Sequence, residues 1–370
     1  MTPAVAGTVH HELTVRLDPA AKSITVSDRL TLRESVTPDG DGAYRFVLHA
    51  GLDPVVSSEG WRLERVEGAV EVEFLGINAT TATMSESVPL EAYRLLPAEG
   101  AGDPVELNYG GVIHHPLRRQ GEEYQRSFSE TPGIIDERGV FLSGTSFWVP
   151  TFGEQMVDFD LQVHELVPPW GVVSQGTRTL EGASDGGDSI IRWRLDVPTE
   201  EIYLVAGPWH EYGRTAGDVE ILALLRSEEP ALAQRYLDAT ARYLKLYEGM
   251  LSPFPYGSFA LVENFWETGY GMPGFTLLGP QVIRFPWILT SSYPHELLHN
   301  WWGNSVYVDF PTGNWCEGLT AYMADHLFAE QRSEGATYRR STLKKFTDMV
   351  SGGEDFPLSE FGSRHSAASE

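Results

Sequence analysis

The stretch PHELLHNWWGN, residues 294 to 304, sets two imidazoles four residues apart with a carboxylate beside the first. On a helix, residues i and i+4 stand one above the other on one face, so His295 and His299 can both direct a ring nitrogen at one ion. A zinc ion (Zn2+) with two imidazoles requires a third protein ligand and an open position for water. Glu296 stands where a carboxylate can take that water's proton as it attacks a carbonyl. This spacing is the HExxH arrangement. Two satisfied histidines in a buried helix would fit the same letters, so the surroundings decide.

Downstream, GNWCEGLTAYMADHLFAEQ sets Leu319, Tyr322, Met323, Leu327 and Phe328 at helical spacing. That predicts a helix from Asn314 to about Arg332, with Asn314 as N-cap and Glu317 in the first turn. Glu317 has two readings. It completes a capping box with Asn314, three residues before it, or it projects toward the two histidines as the third ligand. Beside HExxH the ligand reading is the stronger. Asp325 has two readings, a partner behind one of the metal ligands or a solvated or structural acid, and the second is the stronger. His326, His365 and the pairs at 10 to 11 and 114 to 115 lack a matching partner spacing and read as surface or core histidines. The single cysteine, Cys316, excludes an internal disulfide and a cysteine zinc cluster, so any metal site must use His and carboxylate. Cys316 itself reads as a small buried residue, because the histidines that could activate it are committed to the metal. The tryptophans of NWWGN are expected to pack the zinc helix against a sheet.

The elements that must position these groups fall into two halves. With 370 residues and 42% hydrophobic composition, the chain is long enough for two or three domains, each with its own core. ELTVRL, SITVSDRLTL and VDFDLQVHEL alternate apolar and polar residues, and clusters such as TPDGDG and ASDGGD separate the strands. These predict an antiparallel saddle-like or sandwich-like β domain over residues 1–213. From Glu228 to Glu248 the apolar positions recur every three or four residues, with Gly249 placed as a C-cap glycine. Two strand-like runs follow, SFALVENF and FTLLG, and then helical segments around His295, from Asn314, and from Thr337 to Val350. Residues 214–370 therefore read as mixed α and β, and the fold class as α+β.

Lys and Arg number 27 against 52 Asp and Glu, a net charge of −25, which repels phosphate backbones and makes nucleic acid a poor partner. The residues at the N-terminus lack a basic patch followed by an apolar run, and no window reaches the roughly 18 apolar residues of a membrane span. A cytoplasmic location is expected.

HELLHNWWGN followed by NWCEGLTAYMADH resembles the membrane alanyl aminopeptidase family of gluzincin zinc metallopeptidases, which includes aminopeptidase N and leukotriene hydrolase. The resemblance is specific over residues 254 to 326 and looser over the rest. It implies an N-terminal β saddle before a thermolysin-like catalytic domain, and a peptide substrate. It also implies His295, His299 and Glu317 as zinc ligands and Glu296 as the catalytic glutamate.

Three departures qualify what the resemblance implies. The family places eighteen residues between the second histidine and the ligand glutamate, and here residues 300 to 316 are one fewer, a difference the DFPTG loop can absorb. Where the family has Gly-x-Met-Glu-Asn, this chain has Gly271, Met272, Pro273 and Gly274, so the glutamate that holds a free amino group is missing. Glu263 and Glu267 lie nearby, and Glu263 is the candidate substitute beside Gly271 and Met272 for substrate binding. The family's oxyanion tyrosine has no evident counterpart after Tyr338, and the ending SRHSAASE reads as that of a truncated form, expected to bind zinc and turn over slowly. The expectation is a zinc aminopeptidase, with a zinc endopeptidase of the same fold or a non-catalytic peptide-binding module as alternatives.

Overall fold

A computed structural model describes residues 8–32, 36–68, 88–119, 129–181, 189–309, 312–350 and 355–361. The ASDGGD turn, Phe310 and Pro311 of the DFPTG loop, and the SRHSAASE tail with His365 lie outside the described residues. The chain divides into two compact units, Met1–Arg118 with Glu130–His210, and Arg119–Ser129 with Glu211–Glu370. Among the described residues no helix is long and apolar enough to cross a membrane.

The first unit is built on strands whose alternation is legible residue by residue. In β1 (Thr8–Asp18) and β2 (Ser23–Leu32) the buried positions include Leu13, Val15, Ile24, Val26 and Leu30, and the two strands pair antiparallel with Val15 opposite Val26. β3 (Met156–Leu166) lies on the other side of β1 and buries Phe159, Leu161 and Val163. The full sheet has seven strands, in the order Thr177–Glu181, Ser189–Thr199, β3, β1, β2, Val105–Val112, Val55–Val56. Most pairings are antiparallel, as expected, but β1 and β3 run parallel, with Leu13 opposite Leu161. A parallel neighbour needs a long crossover, and the connection from Asp18 to Met156 supplies one that strand patterning does not reveal.

The second unit contains a five-stranded mixed sheet. Its strands are β4 (His210–Ala216), β5 (Val219–Leu225), β6 (Ser258–Glu263), β7 (Gly269–Met272) and β8 (Phe275–Leu278), in the order β4-β5-β6-β8-β7. β5, β6 and β8 are parallel, and β7 runs antiparallel to β8 at the edge. Helix α1 (Pro230–Met250) is the crossover between β5 and β6 and buries Leu232, Tyr236, Tyr243, Leu244 and Tyr247. It continues through Gly249, because the N–H of Leu251 still reaches the Tyr247 carbonyl at 2.8 Å; the expected C-cap glycine lies inside the last turn.

Three helical segments follow. α2 (Ser292–Leu298) carries HExxH, with His299 as its C-cap residue. The segment expected as one helix from Asn314 begins instead at Cys316, with the Asn314 side chain accepting the Cys316 N–H at 3.1 Å. It runs as α3 (Cys316–Ala321), a π turn (Tyr322–His326) and α4 (Leu327–Gln331). Its buried residues are Cys316, Thr320, Ala324, His326 and Ala329, while Tyr322, expected in the apolar stripe, is 62% exposed. The other members of that stripe, Leu319, Met323, Leu327 and Phe328, are half-buried, with Phe328 edge-on to Tyr243 of α1 at 5.3 Å. α5 (Gly335–Val350) comes last.

One polar cluster is built into the core of the first unit. The His11 Nδ1 lies 2.9 Å from an Asp28 oxygen, and Tyr109 donates its hydroxyl to the same oxygen at 3.4 Å. His11 and Asp28 are fully buried, on the same face as Leu13 and Val26. Removing one partner of such a set leaves the others desolvated without compensation. Asp28→Ala is therefore expected to destabilise the protein by about 3 kcal/mol, and Asp28→Asn by less because it keeps an acceptor. Urea denaturation measures both, and an unchanged midpoint for Asp28→Ala would show that the cluster contributes nothing.

Candidate metal centre

α2 is anchored from its first turn. Tyr293 is fully buried between the rings of Tyr236 and Phe259, at centroid distances of 5.0 and 6.5 Å. With that face fixed, His295 and His299 present imidazoles that meet edge-on, with centroids 4.9 Å apart. Each ring is held by its Nδ1. That of His295 faces a carboxylate oxygen of Asp325 at 3.2 Å, and that of His299 faces the Trp302 carbonyl at 3.0 Å. Both acceptors favour the tautomer with the proton on Nδ1, which leaves each Nε2 with its lone pair outward.

Those two nitrogens meet Glu317 from α3. One carboxylate oxygen lies 3.5 Å from the His295 Nε2 and the other 3.5 Å from the His299 Nε2. Ligand atoms of His295, His299 and Glu317 all lie within 4.8 Å of one another, the one such group among the described residues. Burial disfavours a charged His295, but the carboxylates of Asp325, Glu317 and Glu296 outweigh it and raise the pKa of the ring to about 10. The carboxylates gathered around the ring make the pocket one that favours a cation. Two neutral nitrogens and a carboxylate form a donor set of the type zinc takes, so the residues present fit the ion.

The edge strand lies directly on this helix. A Cβ built at Gly271 would meet the Glu296 carboxylate at 2.7 Å and its carbonyl oxygen at 2.8 Å, so only glycine allows β7 so close. Asn300 accepts the Gly274 N–H at 2.7 Å, and the Asn304 amide reaches the Gly271 carbonyl at 3.4 Å. Met272, next to Gly271, is half-buried. Gly303 has φ +103°, and a Cβ there would come within 3.3 Å of the Cys316 sulfur. The NWWGN segment therefore ties three things together: the end of α2, strand β7 and the start of α3. Trp301 is buried against Tyr247 of α1 and Phe254, rather than against the sheet.

Glu263 has a different setting from the one expected. It is 2% exposed on β6, with one oxygen 2.6 Å from Arg284 and the other accepting the Arg226 N–H at 2.8 Å. Both oxygens are engaged in the fold, which leaves neither to hold a substrate amine. Glu267 accepts the Gln281 N–H at 2.9 Å, bracing the loop that follows β8. Cys316 is buried, with its sulfur 4.0 Å from the His299 Nδ1. Asp325 takes the lesser of its two sequence readings, a partner behind a ligand histidine, and three contributors went unread in the sequence: the Trp302 carbonyl, Asn300 and Asn304. The asparagines carried a signal, since two amides four residues apart follow directly on HExxH.

No family model matches the sequence, and no curated protein matches it. The structure does have relatives. An M1 zinc metallopeptidase from Deinococcus radiodurans is 17% identical, with a TM-score of 0.64 over 100% of this chain and 82% of its own. A mutant of it bound to a Tyr-Ser-Ala substrate gives a TM-score of 0.65 at 17% identity over the same shares of the two chains. Native yeast LTA4 hydrolase is 13% identical, with a TM-score of 0.59 over 98% of this chain and 57% of its own. Likeness at this identity speaks to architecture, and on architecture the chain has the α+β fold of the M1 zinc metallopeptidases.

Proposed function

We propose that the chain is a zinc metallopeptidase of the M1 gluzincin type, aminopeptidase-like in its chemistry. The observation that carries this is the convergence of the His295 Nε2, the His299 Nε2 and the Glu317 carboxylate, with each Nδ1 held from behind. The fold shared with M1 zinc metallopeptidases, one of them bound to a peptide, supports the substrate class.

Zinc held by His295, His299 and Glu317 would supply Lewis-acid polarisation of a water and of the scissile carbonyl. Glu296 accepts the water's proton as the water oxygen adds to the carbonyl carbon, then delivers that proton to the leaving nitrogen. Asp325 and the Trp302 carbonyl keep both rings oriented throughout. The outer edge of β7 offers main-chain groups to an extended peptide, and Gly271 brings that edge within reach of Glu296.

A second reading, an endopeptidase on the same centre, is favoured by two observations. Pro273 stands where the family's amine-binding glutamate belongs, and Glu263 is committed to Arg284. An exopeptidase requires the free amine; an endopeptidase does not.

Glu296→Gln is expected to keep zinc and lose about 10²- to 10⁴-fold in hydrolysis rate, measured by elemental analysis beside a peptide assay. Loss of zinc in that variant would move Glu296 among the ligands. His299→Ala is expected to release the metal, and unchanged zinc content would remove it from the ligand set. Comparing a peptide with its N-acetylated form separates the two readings: cleavage of only the free peptide selects the aminopeptidase, and equal cleavage of both the endopeptidase.

A further inference from the structure

The helix that carries Glu317 contains one residue too many. Asp325 follows Glu317 by eight positions, and eight α-helical steps, about 800°, would leave it about 80° away from the Glu317 face. Yet the two carboxylates flank the same ring, Glu317 at the Nε2 of His295 and Asp325 at its Nδ1. The π turn from Tyr322 to His326 accounts for the difference. It spreads a turn over an additional residue and so slows the rotation that would carry Asp325 out of reach.

A π turn is less favourable than the α-helix around it and persists where neighbouring contacts determine it. Here those contacts converge on His326. Its ring is buried and stacks on Tyr322, at 5.0 Å and nearly parallel, closing the turn on itself. Tyr338 of α5 meets it edge-on at 5.7 Å. Arg339, also on α5, donates to the His326 Nε2 at 2.6 Å and to Glu330 at 3.1 Å, fastening the last residue of the π turn and the helix that follows it to one guanidinium.

We infer that His326 and Arg339 are positioning residues for the metal centre, acting through the π turn and Asp325 on the orientation of His295. Neither is among the ligands, and Arg339 is half exposed on α5. The inference rests on the zinc reading of the centre, and the test separates the two. Zinc affinity of the intact 370-residue chain is measured by competition with a chromophoric chelator, with circular dichroism and thermal unfolding followed in parallel.

Asp325→Asn is expected to weaken zinc binding by about 10- to 100-fold, and Arg339→Ala by about 10-fold, the scale of lost outer-shell support. Arg339→Lys, which keeps a donor, recovers part of that loss. In the double variant Arg339→Ala adds no further loss to Asp325→Asn, because the contact it breaks acts through Asp325. Wild-type affinity in either single variant, or losses that multiply in the double variant, would overturn the inference while leaving the zinc reading intact. A wild-type chain that takes up no zinc would instead remove the metal reading.

Discussion

The second unit is organised around one requirement: His295 and His299 must both turn the Nε2 toward the point that Glu317 faces. An imidazole has two chemically similar nitrogens, and which of them is left as a ligand depends on what binds the other. Asp325 and the Trp302 carbonyl settle the matter from behind each ring. Their two origins differ in consequence. The carbonyl arrives three residues after His299 and comes with the local turn, whereas Asp325 comes from a separate helix and depends on tertiary structure. The net charge of −25 adds only a diffuse field, screened beyond about 10 Å at 0.1 M salt. The carboxylates at contact distance, rather than the overall acidity, make the pocket one for a cation.

The helix that bears this requirement cannot meet it alone. α2 has seven residues, well short of the roughly 12 to 15 needed for an isolated helix to persist in water. Its stability comes from what it touches. Tyr293 fills a fully buried site among aromatic rings, and its hydroxyl is hydrogen-bonded to Thr240 of α1. Trp301, just past the helix, closes the other end against Tyr247 and Phe254. Gly271 and the two asparagines then bind the helix to the edge strand. The edge strand and the helix that carries the two histidines are thus positioned by one set of contacts.

How much of this was legible in the sequence depended on whether the signal was local. The alternation in β1, β2 and β3 and the helical periodicity of α1 are short-range patterns set by strand and helix geometry, and they appear where the spacing puts them. HExxH and Glu317 were legible for the same reason, since the i, i+4 rule places the two histidines and a helix start places the glutamate. Asp325 was legible only as the weaker of two readings, because a position eight residues on is off-face in a regular helix, and a π turn leaves no mark in residue type. The apolar stripe misled at Tyr322 alone, which is exposed, while Phe328 packs on Tyr243; the fully packed positions Cys316, Thr320, Ala324 and Ala329 are small residues with little weight in a hydrophobic pattern. The parallel pairing of β1 with β3 is likewise a property of a long connection, beyond the reach of either strand's own sequence.

Glu263 shows how the same physics allocates acids between fold and site. β6 lies inside the sheet with parallel neighbours on both sides, and every residue from Ser258 to Glu263 is buried. A carboxylate on such a strand has to be compensated, and Arg284 with the Arg226 N–H does so. Freeing Glu263 for a ligand would leave a buried guanidinium contact open, so this acid belongs to the fold. On β7 the situation is reversed. Pro273 has no N–H to offer and the Gly274 N–H is spent on Asn300, so the residues after Met272 serve to fasten the strand. On the proposed function, what this strand offers a substrate is main chain, which recognises extended backbone without regard to whether a free amine stands at its end.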